Sequence, residues 1–67
     1  MTRTEQHEIR KAVQYAAIAP ALAAASLATL IRSTRSDATK QAALKVISDE
    51  NLNNHLVTVN GCLVPRN

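Results

Sequence analysis

The residues best suited to chemistry lie in one polar and basic stretch, IRSTRSDATK, at residues 31–40. Guanidinium and ammonium groups contact phosphates and guanine edges, and serine and threonine hydroxyls hydrogen-bond phosphates or bases. Side chains of both kinds recur at short intervals here, so the composition is that of a nucleic-acid-binding surface. The candidate contacts are Arg32, Arg35, Ser36, Thr39 and Lys40.

The flanking residues predict that this stretch joins two helices. The pattern of residues 26–42 is typical of a helix–turn–helix, because small or apolar side chains such as Leu27 and Ala38 occur where two short helices must cross closely. The second helix would then present its basic and hydroxyl side chains, Thr39 among them, to solvent. The alternative is an ordinary interhelical turn, since residues 34–37 can serve simply as an N-cap. Spacing does not decide between the two.

This region, followed by HLVTVNGCLVP at residues 55–65, resembles the Fis-like helix-turn-helix proteins of the NinH family, which are small phage proteins. The similarity runs from Leu27 to Val64 and includes a hairpin-like ending built on Val-Asn-Gly. It implies that the helix from Arg35 onward is a recognition helix and that Lys40 contacts the DNA backbone.

The whole chain predicts a mainly α fold of three short helices followed by a C-terminal β-hairpin, in a single domain over residues 1–67. Thr2 and Glu5 have the spacing of a capping box, which marks a helix start. Pro20 suits the first turn of a second helix. A third apolar-periodic segment follows the basic stretch, and Asn53 and Asn54 could end it. The predicted bounds are about 3–18, 20–32 and 36–52 for the helices and 56–64 for the hairpin.

The tail LVTVNGCLVP gives the clearest local signal. Asn60 and Gly61 accept the positive φ angles of a type I′ turn between two β-branched runs. With a two-residue turn, residue 59 pairs with 62 and residue 57 with 64, which makes one apolar face. We expect Cys62, on that face, to be a small core residue.

The size of the chain predicts a partner. A chain of 67 residues buries only about 60% of its unfolded surface. One cysteine and two distant histidines supply neither an internal disulfide nor a metal site. We therefore expect a homo-oligomer or docking on another protein. The candidate interface residues are Leu22, Leu27, Val57 and Val59.

Composition narrows the class of function. The net charge of +3 and the pI near 9.6 suit an anionic partner. A single glycine cannot build a phosphate-binding loop, and no metal-ligand spacing occurs, so we expect neither an enzyme nor a cofactor. A lone cysteine fits a reducing cytoplasm. A membrane segment at residues 15–31 is disfavoured, because the run is shorter than about 20 residues and contains Pro20.

Two function classes follow from these observations. The first is a small cytoplasmic DNA-binding regulator of phage or mobile-element origin, acting as a homodimer. The alternative is a small adaptor or inhibitor that docks on a host protein through its Ala/Leu helices or a free edge of the hairpin.

Overall fold

The computed structural model describes residues 2–66 and has three helices followed by an antiparallel two-stranded hairpin, which confirms the predicted fold class. A short 3₁₀ helix connects the last α-helix to the first strand. No helix within residues 2–66 combines the length and the apolar character that crossing a membrane requires. The elements are α1 (Arg3–Ala16), α2 (Pro20–Ser33), α3 (Asp37–Asp49), the 3₁₀ helix (Leu52–His55), β1 (Leu56–Val59) and β2 (Cys62–Pro65).

The first helix begins where its sequence predicts and ends slightly early. The Thr2 hydroxyl oxygen accepts a hydrogen bond from the Glu5 N–H at 3.1 Å, and the Glu5 carboxylate accepts one from the Thr2 N–H at 3.2 Å, which confirms the capping box. The helix stops at Ala16 rather than near residue 18. A residue before proline is kept out of the helical region, and Ala19 accordingly has φ −144° and ψ 69°.

The third helix is also shorter than predicted, ending at Asp49 rather than near residue 52. Asn51 adopts the left-handed conformation, with φ 56° and ψ 43°, and ends the helical path there. The chain therefore turns before it reaches Asn53 and Asn54, the predicted terminators. Asparagine is among the few non-glycine residues that enter this region readily. The reversal places Leu52 in the core, where it is fully buried.

The hairpin has the predicted register and turn. Val59 pairs with Cys62 and Val57 with Val64, and both Asn60 and Gly61 have positive φ. The face that packs on the helices, however, is the opposite one, which carries the buried Leu56 and the partly buried Leu63. Cys62 is therefore exposed, and its expected place in the core is wrong. Because side chains alternate along a strand, burying Leu56 turns the valine face outward.

Alanine dominates the core, and its small side chain permits close approach of neighbouring helices. Five buried alanines surround a few larger side chains, of which Leu27 is among the largest and only 1% exposed. Leu27 is thus a core residue of the single chain, and its assignment to an interface is corrected. Ala38, expected to face inward, is exposed. The buried apolar set is Ala12, Ala23, Ala24, Leu27, Ala28, Ala43, Ile47, Leu52 and Leu56.

Candidate nucleic-acid interface

The predicted contact residues lie around the connection between α2 and α3. Arg32 is in the last turn of α2 and is exposed, as is Arg35 in the connection itself. Ser36 is the N-cap of α3, and Lys40 is in the first turns of that helix; both are half-buried. The fold therefore places three cations at one corner of the molecule, where α2 ends and α3 begins.

Two of these cations share a groove. Arg32 and Lys40 line an open groove of about 550 Å³ between the end of α2, the outer side of α3 and the tip of the hairpin. Its other lining residues are uncharged. Arg35 does not line the groove. We call this feature the corner groove; it is lined by Ile31, Arg32, Lys40, Leu44, Gly61, Cys62 and Leu63.

Thr39 does not belong to the exposed surface that the sequence predicted. Its side chain is 0% exposed, and its hydroxyl donates a hydrogen bond to Oε1 of Glu5 at 3.2 Å. Thr39 points inward because α3 packs against α1 as well as α2. Ser36 is also engaged locally, since its Oγ accepts the Thr39 N–H at 3.3 Å. The hydroxyls expected to contact DNA thus support the turn instead.

The Glu5 carboxylate joins the start of α1 to the α2–α3 connection. It accepts hydrogen bonds from the Thr34 and Thr39 hydroxyls as well as from the N–H of Thr2. Thr34 is buried, and its Oγ1 in turn accepts the Ser36 N–H at 3.2 Å. We call Glu5, Thr34 and Thr39 the Glu5 clasp.

The electrostatics of the clasp favour the ionised carboxylate. The hydrogen bond from Thr34 is the main cause that lowers the pKa of Glu5 below its ordinary value, and the Thr2 N–H adds to it. Partial burial opposes this effect but does not reverse it. Glu5 thus remains charged while its hydrogen bonds hold the connection in place.

Sequence reasoning found only the local part of this arrangement. The capping box revealed that Glu5 bonds to Thr2, three residues away. Thr34 and Thr39 are 29 and 34 residues away in the chain. No spacing rule connects positions so far apart, and the only available signal was a pair of threonines beside a predicted helix start.

The predicted interface residues fall on separate surfaces. Val57 and Val59 are exposed on the outer face of the hairpin. Leu22 and Tyr15 line a small groove between α1 and α2. The Lys11 Nζ lies over the Tyr15 ring, 5.9 Å from its centroid. These side chains are available to a partner, whereas Leu27 is not.

The part of the chain that the structure describes contains no group of three or more His, Cys, Asp or Glu side chains placed to hold a metal ion. Comparison with protein-family models, with curated proteins and with solved structures finds no match to this chain. The resemblance to the NinH family stays a prediction. The features of the structure that bear on function are the three cations around the α2–α3 connection and the Glu5 clasp that supports them.

Proposed function

We propose that this chain is a small non-enzymatic DNA-binding regulator that contacts the phosphate backbone through Arg32, Arg35 and Lys40. The observation that carries the proposal is the convergence of these cations where α2 meets α3: two line one groove, and the third is exposed in the connection. Neutralising successive phosphates with such side chains releases counterions and supplies most of the affinity of simple DNA binders. The resemblance to NinH proteins implies the same class of ligand.

The burial of Thr39 changes the kind of recognition that we propose. Arginine and lysine contact phosphates and also guanine edges, whereas reading the other bases depends largely on hydroxyl and amide groups. With Thr39 bonded to Glu5 and Ser36 acting as a cap, the surface retains its charges but few groups for reading bases. We therefore propose binding that depends strongly on salt and weakly on sequence.

The Glu5 clasp contributes by holding the cations in place. Arg35 lies between Thr34, which bonds to Glu5, and the capping residue Ser36. A binding group presented from a restrained turn loses less conformational freedom on contact than one on a mobile loop. The clasp is thus a support for the proposed surface, with no direct contact to DNA.

The test is duplex binding measured by fluorescence anisotropy over a series of salt concentrations. The variant R35A/K40A removes two charges from the proposed surface, and R10A/K11A removes two exposed charges from α1 as a matched control. Each phosphate contact contributes about 0.9 to the slope of log K against log salt, so R35A/K40A should reduce the slope by about 1.8 and weaken binding strongly. Equal effects of the two variants, or an absence of duplex binding at low salt, would refute the proposal.

A protein-binding adaptor or inhibitor is the second candidate, and exposed apolar side chains favour it. Tyr15, Ile18 and Leu22 cluster where α1 turns into α2, and Ile18 is 78% exposed. Side chains of this kind are common at docking surfaces. Under this proposal, Leu22→Ser abolishes co-purification of a stoichiometric partner, whereas R35A/K40A does not.

We also propose a homodimer, on the ground that so small a core leaves the outer hairpin face and its strand edges unpaired. The mass of the native species, measured by analytical ultracentrifugation, tests it. A monomer at micromolar concentration would contradict it.

A further inference from the structure

We propose that the corner groove is a docking site for an acidic amphipathic helix of another protein. Such a helix has apolar side chains along one face and carboxylates beside them. The partner is named by its chemistry. The proposal does not rest on DNA binding, because its apolar contacts play no part in contacts to phosphate, although it shares Arg32 and Lys40 with the proposed DNA surface.

The floor of the corner groove is apolar. Leu44 lies on α3 and is 40% exposed, although Ala43 and Ile47 already supply the buried side of that helix. Ile31 and Leu63 pack against the core and also line the groove, so its floor continues the apolar interior to the surface. Leu44 is therefore an apolar side chain that the fold itself does not bury.

The charged side chains that line the corner groove have one sign. Arg32 and Lys40 are the two charged side chains lining the groove, and both are cations. The small groove between α1 and α2 differs, because it is lined by one acid, Glu8, and one base, Lys11. A further groove, lined by His7, Lys11, Gln14, Tyr15 and Ile18, also has no carboxylate among its lining residues but has one Lys side chain, whereas the corner groove has an Arg and a Lys beside its apolar floor. Complementarity favours a partner with carboxylates and disfavours a basic or neutral one.

The shape of the corner groove suits a helix better than a small molecule. The volume of about 550 Å³ is within the range of about 300–1,000 Å³ that is typical of ligand pockets, but the groove is partly open to solvent. A small molecule bound there would remain partly exposed to water. A helix can place its apolar face in the groove and keep its opposite face hydrated, as helix-in-groove complexes do.

The corner groove and the proposed DNA surface share two cations, which has a functional consequence. Arg32 and Lys40 are also two of the three cations proposed to contact DNA. A partner helix whose carboxylates pair with them would compete with phosphates for the same charges. Occupation of the groove would then reduce DNA affinity, most strongly at low salt.

The experiment uses the single cysteine as a reporter. Cys62 is exposed and lines the groove, so a bound helix should shield it from iodoacetamide, a neutral reagent that forms a thioether with the thiol. The probe is a synthetic helical peptide with leucines on one face and glutamates flanking them. The control is a scrambled peptide of the same composition. We expect the amphipathic peptide to slow alkylation in proportion to the fraction bound and the scrambled one to leave it unchanged.

Two variants make the site specific. Leu44→Ser removes the exposed apolar side chain of the floor, and Val13→Ser removes one that is 41% exposed on α1, outside the groove. Truncation of a central contact weakens binding by roughly tenfold or more, so Leu44→Ser should do so and Val13→Ser should not. R32A/K40A should lower the affinity for the peptide, whereas R32K/K40R, which keeps both charges, should bind it about as well as the unmodified protein. Far-UV circular dichroism verifies that each variant folds.

Two results would overturn the inference. These are equal protection by the scrambled peptide and equal effects of Leu44→Ser and Val13→Ser. Each rate is compared with that of peptide-free protein at the same concentration, because a homodimer through the outer hairpin face would itself shield Cys62. The outcome is distinguishable from that of the DNA proposal. Leu44→Ser keeps every cation, so duplex binding should persist in that variant while peptide binding is lost. If the unmodified protein does not bind DNA at all, protection of Cys62 by the peptide still supports the docking site.

Discussion

Replacing Thr39 by valine tests the Glu5 clasp directly. Valine keeps the shape of threonine and removes only the hydroxyl, which is buried and donates to Oε1 of Glu5. A hydrogen bond to a charged group contributes about 1.5–3 kcal/mol. The donor–acceptor distance of 3.2 Å is long for an O–H···O bond, and the same oxygen still accepts the Thr2 N–H. We therefore expect a loss at the lower end, about 1.5 kcal/mol.

That loss is large for a chain of this size. At about 0.05–0.15 kcal/mol per residue, 67 residues give a total free energy of unfolding of roughly 3–10 kcal/mol. The same loss corresponds to a fall in Tm of about 6–12 °C for a domain of this length. Urea unfolding followed by circular dichroism at the helical minimum measures the free energy, and a thermal scan measures Tm.

The matched control is Thr29→Val. The Thr29 hydroxyl is exposed and donates at 3.0 Å to the Ala25 carbonyl within its own helix, so its removal should change the free energy of unfolding by less than about 0.5 kcal/mol. If Thr39→Val and Thr29→Val destabilise the protein equally, the buried hydrogen bond to Glu5 contributes nothing, and the account of the clasp is wrong.

Two further predictions concern acid and the core. Hydrogen bonds lower the pKa of Glu5 below its ordinary 4.5, so the stability that the ionised form contributes is complete above that value and is lost as the pH falls through the lower folded-state pKa. Glu5→Gln should therefore flatten the fall in Tm between neutral pH and pH about 3, and an unchanged pH profile would contradict this. Leu27→Ala should cost about 3 kcal/mol or more, because Leu27 is 1% exposed, whereas Leu22→Ala should have little effect. Thermal scans compare the two, and similar Tm values would place Leu27 outside the core.

Local signals in the sequence predicted the framework accurately. The capping box at Thr2, the helix start at Pro20 and the turn at Asn60 and Gly61 all occur in the structure. Each depends on backbone geometry or on hydrogen bonds between residues at most three apart, which act in the same way in any surrounding fold. Three helices and a hairpin follow from such signals.

Predictions that required knowing which face is covered succeeded less often. Cys62 was expected inside and is exposed, while Thr39 was expected outside and is buried. A strand with apolar residues on both faces does not indicate which face meets the helices, because each face has apolar side chains at every second position. A threonine near a helix start is equally compatible with solvent and with a buried acceptor.

The sequence by itself determined the kinds and order of the elements, the positive charge near residues 32–40, and the presence of one cysteine, which cannot form a disulfide within the chain. Only the tertiary structure decided that Glu5 restrains the α2–α3 connection and that Thr39 is buried against Glu5 instead of facing a ligand. It also decided that Arg32 and Lys40 share a groove with Leu44. The physical reason is the range of the interactions. Caps and turns are satisfied within a few residues, whereas a buried hydroxyl and a shared groove depend on how three helices and a hairpin pack together.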